Sequence, residues 1–365
     1  MFMEGRDGCR IPSGCAVSAI FSRSGKKENG ERIMKSIALM RERSNGLGGG
    51  FAAYGIYPEF AECYAFHLFY DSPRAKSECE EFLERNYEIA GEAKIPTRKL
   101  PEITDEPMVY RYFVYPRRTR LEASGLSADD FVVRAVMHVN AGVDGAYIFS
   151  SGKNMGVFKG VGYPEDIGRF YKLETYEADC WTAHGRYPTN TPGWWGGAHP
   201  FGMLGMSVVH NGEISSYDAN RRYIEMFGYK CSLLTDTEVI AYILDYLTRK
   251  QGLTLAETAQ IIAAPFWSRI DRMEPAERER LTALRERFGS LLVTGPFSII
   301  VGFDGGVMAL GDRLKLRSMV VAEKGDAVYI ASEESAIRVI EPAPDRVFAP
   351  RGGEPVVYTR RKENE

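Results

Sequence analysis

The sequence has no long apolar run and no excess of charge of either sign. No stretch approaches the roughly 18 apolar residues of a membrane span, and residues 1–14 lack the apolar segment of a signal peptide. Lysine and arginine number 46 against 49 aspartates and glutamates, giving a net charge of −3 without blocks of one sign. These features argue against binding to nucleic acid or to a membrane, and they predict a cytoplasmic protein.

Cysteine and histidine are also scarce. The six cysteines include no C-x-x-C pair, and the five histidines are scattered along the chain. A zinc site, an iron–sulfur cluster or a disulfide framework is therefore not expected. The hydrophobic fraction of 44% is ordinary for a chain that folds around a hydrophobic core without disulfides or metal sites.

Short strands alternate with helices without the regular spacing of βαβ units. Apolar runs predict strands at 15–21, 51–58, 108–116, 145–151, 296–302, 306–310 and 326–331, and helical periodicity predicts helices at 31–43, 127–142, 236–250, 254–265 and 274–288. This mixture favours α+β layers over a doubly wound sheet. The proline-rich polar residues 96–107 are either an internal boundary or an insertion in a single core. The glycine cluster 45–50 precedes a strand instead of a helix, so it is not a dinucleotide-binding motif.

Three segments concentrate residues that suit chemistry. Cys15 opens a predicted strand directly after two small residues. Residues 184–200, HGRYPTNTPGWWGGAHP, combine polar donors with four glycines, as is typical of a loop that holds a small ligand. The third segment is 208-VVHNGEIS-215, where an apolar run ends, together with 235-TDTEV-239 at a predicted helix start.

Each of these segments alone also has an ordinary structural interpretation. Asn-Gly is a strong hairpin signal, so Asn211 and Gly212 could simply form a turn. Asp236 could be a helix N-cap, and a single buried cysteine such as Cys15 is usually a core residue.

In their order along the chain, the segments resemble the class II glutamine amidotransferases, whose first mature residue is a nucleophilic cysteine. The resemblance consists of Cys at a strand start, G-R-x-x-T, A-H-P, H-N-G-E-I and T-D-T-E-V, and it extends to 304–318 and 331–337. It implies the four-layer αββα sandwich of N-terminal-nucleophile hydrolases, in which two stacked, mainly antiparallel sheets lie between helices. It also implies one amidotransferase domain at 15–365 with an insertion around 96–175.

The resemblance assigns two sets of site residues. The catalytic set would supply the nucleophile and two oxyanion donors, and the second set would bind the α-carboxylate and α-ammonium groups of glutamine. The catalytic set is Cys15, Asn211 (side-chain amide) and Gly212 (backbone N–H), and the substrate set is Arg186 for the carboxylate, Asp236 for the ammonium, and Thr189 and His199 as helpers.

A free α-amine on Cys15 would complete the site as its general base, because the ordinary pKa of such an amine, about 7.7–8.0, lies near working pH. Residues 1–14 are therefore predicted to be a propeptide. Cys9 is the alternative nucleophile, disfavoured because residues 10–12 do not suit the strand that should follow it. Ala16 stands where the family usually has glycine, and its methyl could crowd the thiol.

Within the family, residues 44–58 and 186–201 most resemble glutamate synthase in the form whose amidotransferase is a separate chain. This implies L-glutamine as substrate and transfer of ammonia to FMN-containing and β-helical glutamate synthase subunits, which aminate 2-oxoglutarate. No cofactor is expected in this chain, and FMN and iron–sulfur clusters are expected in the partner subunits. The alternatives are the glutaminase subunit of N-methylglutamate synthase and a non-catalytic glutamine-sensing or structural subunit.

Overall fold

The computed structural model describes residues 14–188 and 192–361. Its strands are β1 (Ala16–Ser22), β2 (Glu28–Asn29), β3 (Gly49–Tyr54), β4 (Tyr64–Tyr70), β5 (Tyr87–Lys94), β6 (Met108–Pro116), β7 (Ala146–Ser150), β8 (Met155–Gly160), β9 (Glu177–Ala178), β10 (Cys180–Gly185), β11 (Phe201–Met203), β12 (Met206–Gly212), β13 (Phe297–Phe303), β14 (Gly306–Gly311), β15 (Val320–Lys324), β16 (Ala327–Ala331), β17 (Arg346–Phe348) and β18 (Val356–Thr359). Its α-helices are α1 (Glu31–Leu39), α2 (Pro73–Asn86), α3 (Arg118–Ser124), α4 (Ala128–Gly142), α5 (Pro164–Phe170), α6 (Tyr217–Glu225), α7 (Asp236–Asp245), α8 (Leu255–Ile262), α9 (Trp267–Ile270), α10 (Pro275–Phe288) and α11 (Glu334–Arg338).

Two antiparallel sheets stack at the centre of the molecule. The first has the strand order β17-β15-β16-β1-β10-β3-β8, and the second has the order β11-β12-β13-β14-β18. The sheets pack through β1 and β10 against β12 and β13, while α1, α5 and α11 cover the first sheet and α7 covers the second. The four-layer α+β prediction is confirmed.

The alternation of side chains along β1 and β12 decides what each strand presents to its neighbours. On β1, the hydroxyl of Ser18 forms a hydrogen bond with that of Ser36 on α1. Ser18 and the other even-numbered residues of β1 therefore face the helices. On β12, Val209 joins the core that contains β1, whereas Val208 joins the core that contains α7. Odd-numbered residues of both strands therefore meet between the two sheets.

A third sheet, in the order β5-β6-β4-β7, packs with α2 and α4. Residues 96–107 connect β5 to β6, which are hydrogen-bonded neighbours in this sheet. This segment therefore joins two strands of one sheet. The division into a propeptide and one domain with an insertion stays a prediction.

The part of the chain that the structure describes contains no helix both long and apolar enough to cross a membrane. The five cysteines in this part of the chain are free thiols. The described residues also contain no cluster of side chains suited to bind a metal ion.

His67 on β4 is fully buried, and its hydrogen bonds fix it as an uncharged ring. Nδ1 donates to the carbonyl oxygen of Val157 at 2.8 Å, and Nε2 accepts from the hydroxyl of Tyr57 at 2.8 Å. Burial lowers the pKa of His67 to about 3 from its usual 6.5. As the pH falls, the unfolded chain therefore binds this proton before the folded chain does.

Acidification from pH 7 to pH 5 should remove about 2 kcal/mol of the free energy of unfolding through His67 alone. A base whose pKa is depressed by folding contributes stability that is complete above its unfolded pKa and is lost below it. Urea unfolding of wild type and His67→Gln at both pH values measures this, with the exposed His138→Gln as control. The stability advantage of wild type over His67→Gln should shrink by that amount at pH 5, and an unchanged advantage would contradict the prediction.

Candidate active site

A cavity of about 200 Å³ lies where β1 begins and β12 ends. It is smaller than the sites of about 300–1,000 Å³ that hold drug-sized ligands, so it suits a ligand as small as one amino acid. Four parts of the chain line it: Cys15; residues 186–188 with His199; His210, residues 212–214 and Tyr217; and residues 234–236. The structure therefore brings together the segments that the sequence singled out.

Cys15 directly precedes β1 and is half-buried at the cavity. By the alternation along β1 its side chain belongs to the face between the sheets, and its Sγ accepts the backbone N–H of Tyr187 at 3.3 Å. Ala16 belongs to the opposite face, where a methyl on Gly185 would lie 3.6 Å from the Ala16 Cβ. The methyl of Ala16 therefore points away from the thiol, and the expected crowding does not arise.

The surroundings of Cys15 keep its thiol protonated at neutral pH. Burial raises the pKa of the thiol above its usual value, and the Asp236 carboxylate adds to this; the Tyr187 N–H and the guanidinium groups of Arg186 and Arg317 oppose both. A thiol in this state needs a nearby base before it can attack as a thiolate.

Asn211 and Gly212 are the last two residues of β12, paired with Ser298 and Phe297 of β13. The hairpin-turn interpretation of Asn-Gly is therefore wrong. Asn211 lies on the face between the sheets and is 1% exposed, yet neither its Oδ1 nor its Nδ2 has a hydrogen-bond partner among the described residues. An unpaired buried amide costs about 1–3 kcal/mol, so it is the kind of feature that a bound ligand explains.

The absence of a side chain at Gly212 is required by packing. A Cβ there would clash with the carbonyl oxygen of Pro296 and lie 2.7 Å from His210 Nε2. Gly212 lines the cavity, so its backbone can approach a ligand closely. Asn211 and Gly212 thus offer an amide and a main-chain N–H at one end of the cavity.

Arg186 follows β10 and lines the cavity, where it is 3% exposed. Its Nη1 donates to Pro192 O at 3.1 Å, and burial lowers the pKa of its guanidinium from the usual value. Gly48 has φ +154°, and a Cβ on it would lie 3.0 Å from Arg186 Cδ; a Cβ on Gly50 would clash with the His199 carbonyl oxygen. The glycine cluster therefore lets Arg186 and His199 lie close to the start of β3.

Asp236 begins α7 but does not cap it, because Thr235 is the N-cap and accepts the Glu238 N–H at 3.3 Å. The Asp236 carboxylate accepts the backbone N–H of Ile214 at 3.1 Å instead. Burial alone would raise the pKa of Asp236, but the nearby His210 ring and these hydrogen bonds outweigh it and leave the pKa below its usual range. Asp236 is thus a carboxylate held at the cavity wall.

Three of the five histidines meet beneath the cavity. His199 Nε2 and His210 Nδ1 lie 2.6 and 3.0 Å from the hydroxyl oxygen of Thr237, whose proton goes to Asp236 Oδ1 at 3.2 Å. His184 stacks on His199 with ring centroids 4.1 Å apart. Since Thr237 has only one proton to give, both rings donate to it, and they fix the orientation of Thr237 beside Asp236.

The sequence interpretation had included only His199 from this cluster. Two signals were present: His210 stands next to Asn211, and His184 is two residues before Arg186 on the same strand face. Lys159 was missed altogether. Its buried amine donates to Gly196 O at 2.9 Å and so anchors the backbone at Gly196, and burial lowers its pKa to about 7.

The structure thus gathers Cys15, Arg186, His199, Gly212 and Asp236 around one cavity, with Asn211 buried beside them. Thr189, Cys9 and the predicted propeptide up to residue 13 lie outside the described residues.

Comparison with protein families decides the class to which this site belongs. The family model for glutamine amidotransferases class-II matches residues 66–348, well over half of the chain. The chain belongs to the class II glutamine amidotransferases. The matched range includes Arg186, Asn211, Gly212 and Asp236 of this amidotransferase, whereas Cys15 precedes it.

Individual relatives of this amidotransferase cover most of its length. A protein of Archaeoglobus fulgidus without an assigned function is 49% identical over 355 residues, which is 96% of this chain and 94% of that protein. A Methanothermobacter thermautotrophicus protein, provisionally named a glutamine amidotransferase, is 24% identical over 332 residues, covering 89% of this chain and 93% of that one. Among solved structures, the glutamine phosphoribosylpyrophosphate amidotransferase of B. subtilis matches with a TM-score of 0.47 and 13% sequence identity. The match covers 94% of this chain and 47% of the B. subtilis chain.

Proposed function

We propose that this amidotransferase hydrolyses the side-chain amide of free L-glutamine at Cys15 and passes the ammonia to a glutamate synthase subunit in another chain. The observation that carries the first step is the amide of Asn211, which is buried next to Gly212 and has no hydrogen-bond partner among the residues that the structure describes, at the cavity that Cys15 lines. Donors placed at this point suit a negative charge that develops on the amide oxygen of the substrate.

The chemistry requires Cys15 to be the first residue. Its thiol proton then moves to its own α-amine, and the thiolate attacks the amide carbon, whose oxygen becomes an oxyanion between Asn211 Nδ2 and the Gly212 N–H. The C–N bond breaks as the ammonium returns its proton to the leaving nitrogen. Ammonia departs, and water hydrolyses the remaining thioester to glutamate and the free thiol.

Two opposite charges at the cavity support recognition of a free amino acid. The Arg186 guanidinium is a forked donor suited to the α-carboxylate, and the Asp236 carboxylate suits the α-ammonium. A glutamine within a peptide lacks both charges and could pair with neither group. Thr189 and His199 are the proposed helpers on the carboxylate side.

The synthase step rests on the resemblance of residues 44–58 and 186–201 to the separate amidotransferase chain of glutamate synthase. The partner would contain FMN and iron–sulfur clusters and would aminate 2-oxoglutarate with the ammonia. A glutaminase alone would release its ammonia unused, which favours a partner that takes it up.

The direct test is to incubate the purified protein with glutamine, measure ammonia and glutamate, and determine the N-terminal residue by mass spectrometry. We expect equal amounts of both products, an N-terminus at Cys15, and no reaction with asparagine or a glutamine-containing peptide. Binding of glutamine without ammonia release would identify a sensor. Full activity in a chain that retains Met1 would refute the α-amine as base.

A further inference from the structure

Two guanidinium groups face the nitrogen side of Cys15 from outside the set of residues that lines the cavity. A methyl carbon on Gly14 would lie 3.7 Å from Arg317 Nη1 and 3.8 Å from Arg43 Nη2. Gly14 is joined directly to the nitrogen of Cys15. Both positive charges therefore lie beside the nitrogen that becomes a free amine once the leader is removed.

Arg43 is fixed in this position by the turn that it ends and by two side-chain contacts. It ends the short 3-10 turn after α1, its Nη1 pairs with Glu333 Oε1 at 2.8 Å, and its Nε donates to the carbonyl oxygen of Cys15 at 3.4 Å. Its side chain is only 12% exposed. Burial of this degree limits the screening of its charge by water.

Arg317 is held by the loop between β14 and β15. The carboxylate of Asp312 accepts the backbone N–H groups of Leu314 and Leu316, each at 2.9 Å, which turns the loop back toward Cys15. Arg317 Nε is buried and has no hydrogen-bond partner among the described residues. The loop therefore places a cation near Cys15, and no carboxylate in the described part of the chain forms an ion pair with it.

We propose that Arg43 and Arg317 are positioning residues that keep the freed α-amine of Cys15 uncharged at neutral pH, so that it can take the thiol proton. This inference rests on the proposed function. Two cations beside a nitrogen disfavour its protonated form, and an ordinary α-amine, with a pKa of about 7.7–8.0, would be mostly protonated at pH 7.

The other charged and titratable groups around Cys15 do not remove this effect. Arg186 adds a further positive charge from the thiol side, whereas Asp236 opposes it across the cavity. Glu333 partly neutralises Arg43 through their ion pair, which leaves Arg317 as the stronger of the two influences. The charged and titratable groups near Cys15 are Arg43 with Glu333, Arg317, Arg186, Asp236, Glu213, His210, Tyr187 and Tyr217. Glu213 is exposed, so water screens its charge.

The test titrates the amine itself. In processed protein labelled with 15N-cysteine, the α-amine of Cys15 gives a signal well separated from the backbone amides of the other cysteines. We expect its midpoint below the ordinary range, and Arg317→Gln should raise that midpoint by about half a pH unit or more. The acidic limb of the kcat/KM profile for glutamine should move by the same amount.

Arg317→Lys keeps the charge and should restore most of the wild-type midpoint, and Arg43→Gln, measured in the same way, is a second test if Arg317→Gln fails to fold or to lose its leader. Arg346→Gln, an exposed arginine on β17, is the matched control and should leave the midpoint unchanged. Unchanged midpoints in both active site variants, or a raised KM without a shift in the pH profile, would overturn the inference while the proposed function stands. A wild type that releases no ammonia, or that keeps its leader, would overturn the proposed function first.

Discussion

Replacing Cys15 by alanine should lower glutamine-dependent ammonia release by at least about four orders of magnitude while glutamine binding persists. Loss of a nucleophile removes the covalent route and leaves only the assistance that oxyanion donors and binding groups give to water. The Arg186 and Asp236 contacts of the cavity do not depend on the thiol. Ammonia release and calorimetric binding of glutamine, measured on the same preparation, separate the two effects.

The control for this prediction is Cys9→Ala. Cys9 lies within the predicted leader, and if residues 1–14 are removed its substitution should not alter the activity of the mature protein. Loss of activity in Cys9→Ala with retention in Cys15→Ala would assign the nucleophile to Cys9 and reject the mechanism proposed for Cys15.

The parts of the fold that could be predicted are those in which local pattern and burial agree. An apolar run predicted β1, because a strand covered on both faces needs apolar residues along most of its length. The helix α4 was predicted from its periodicity and from Ser127, whose hydroxyl accepts the Asp130 N–H as an N-cap. At these positions the structure repeats what the sequence pattern indicates.

The Asn-Gly pair shows why a strong local signal failed. The pair is typical of hairpins because glycine and asparagine accept positive φ. In this structure Gly212 is needed for a different reason, since the Pro296 carbonyl oxygen occupies the space of a side chain. That constraint arises from a neighbouring strand more than eighty residues away, so no local pattern contains it.

The remaining site residues depend on contacts that are distant in sequence. Arg43 and Arg317 meet at Cys15 only because the turn after α1 and the loop after β14 both end beside β1. Lys159 reads as an ordinary polar residue in an apolar stretch, and its role follows from its contact with Gly196. Such residues carry no motif, and the stacking of the two sheets brings them together.

Replacing Asn211 by alanine should lower kcat for glutamine hydrolysis by about a hundredfold to a thousandfold and change KM little. Removal of one oxyanion donor typically has an effect of this size, because the donor is used in the transition state more than in the ground state. The same change deletes two buried polar atoms that have no hydrogen-bond partner within residues 14–188 and 192–361. The free energy of unfolding should therefore stay within about 1 kcal/mol of wild type, despite the burial of this side chain.

Asn140 provides the matched comparison, since its buried amide is fully paired: Nδ2 donates to Ile148 O at 2.9 Å and Oδ1 accepts the Ile148 N–H at 2.7 Å. Asn140→Ala should lose about 2 kcal/mol of stability and keep the kcat of the folded protein, which is the reverse of Asn211→Ala. Urea unfolding and steady-state kinetics on both variants measure the contrast. If Asn211→Ala were strongly destabilised with an unaltered kcat, Asn211 would be a structural residue, and the oxyanion site would have to lie elsewhere in the cavity.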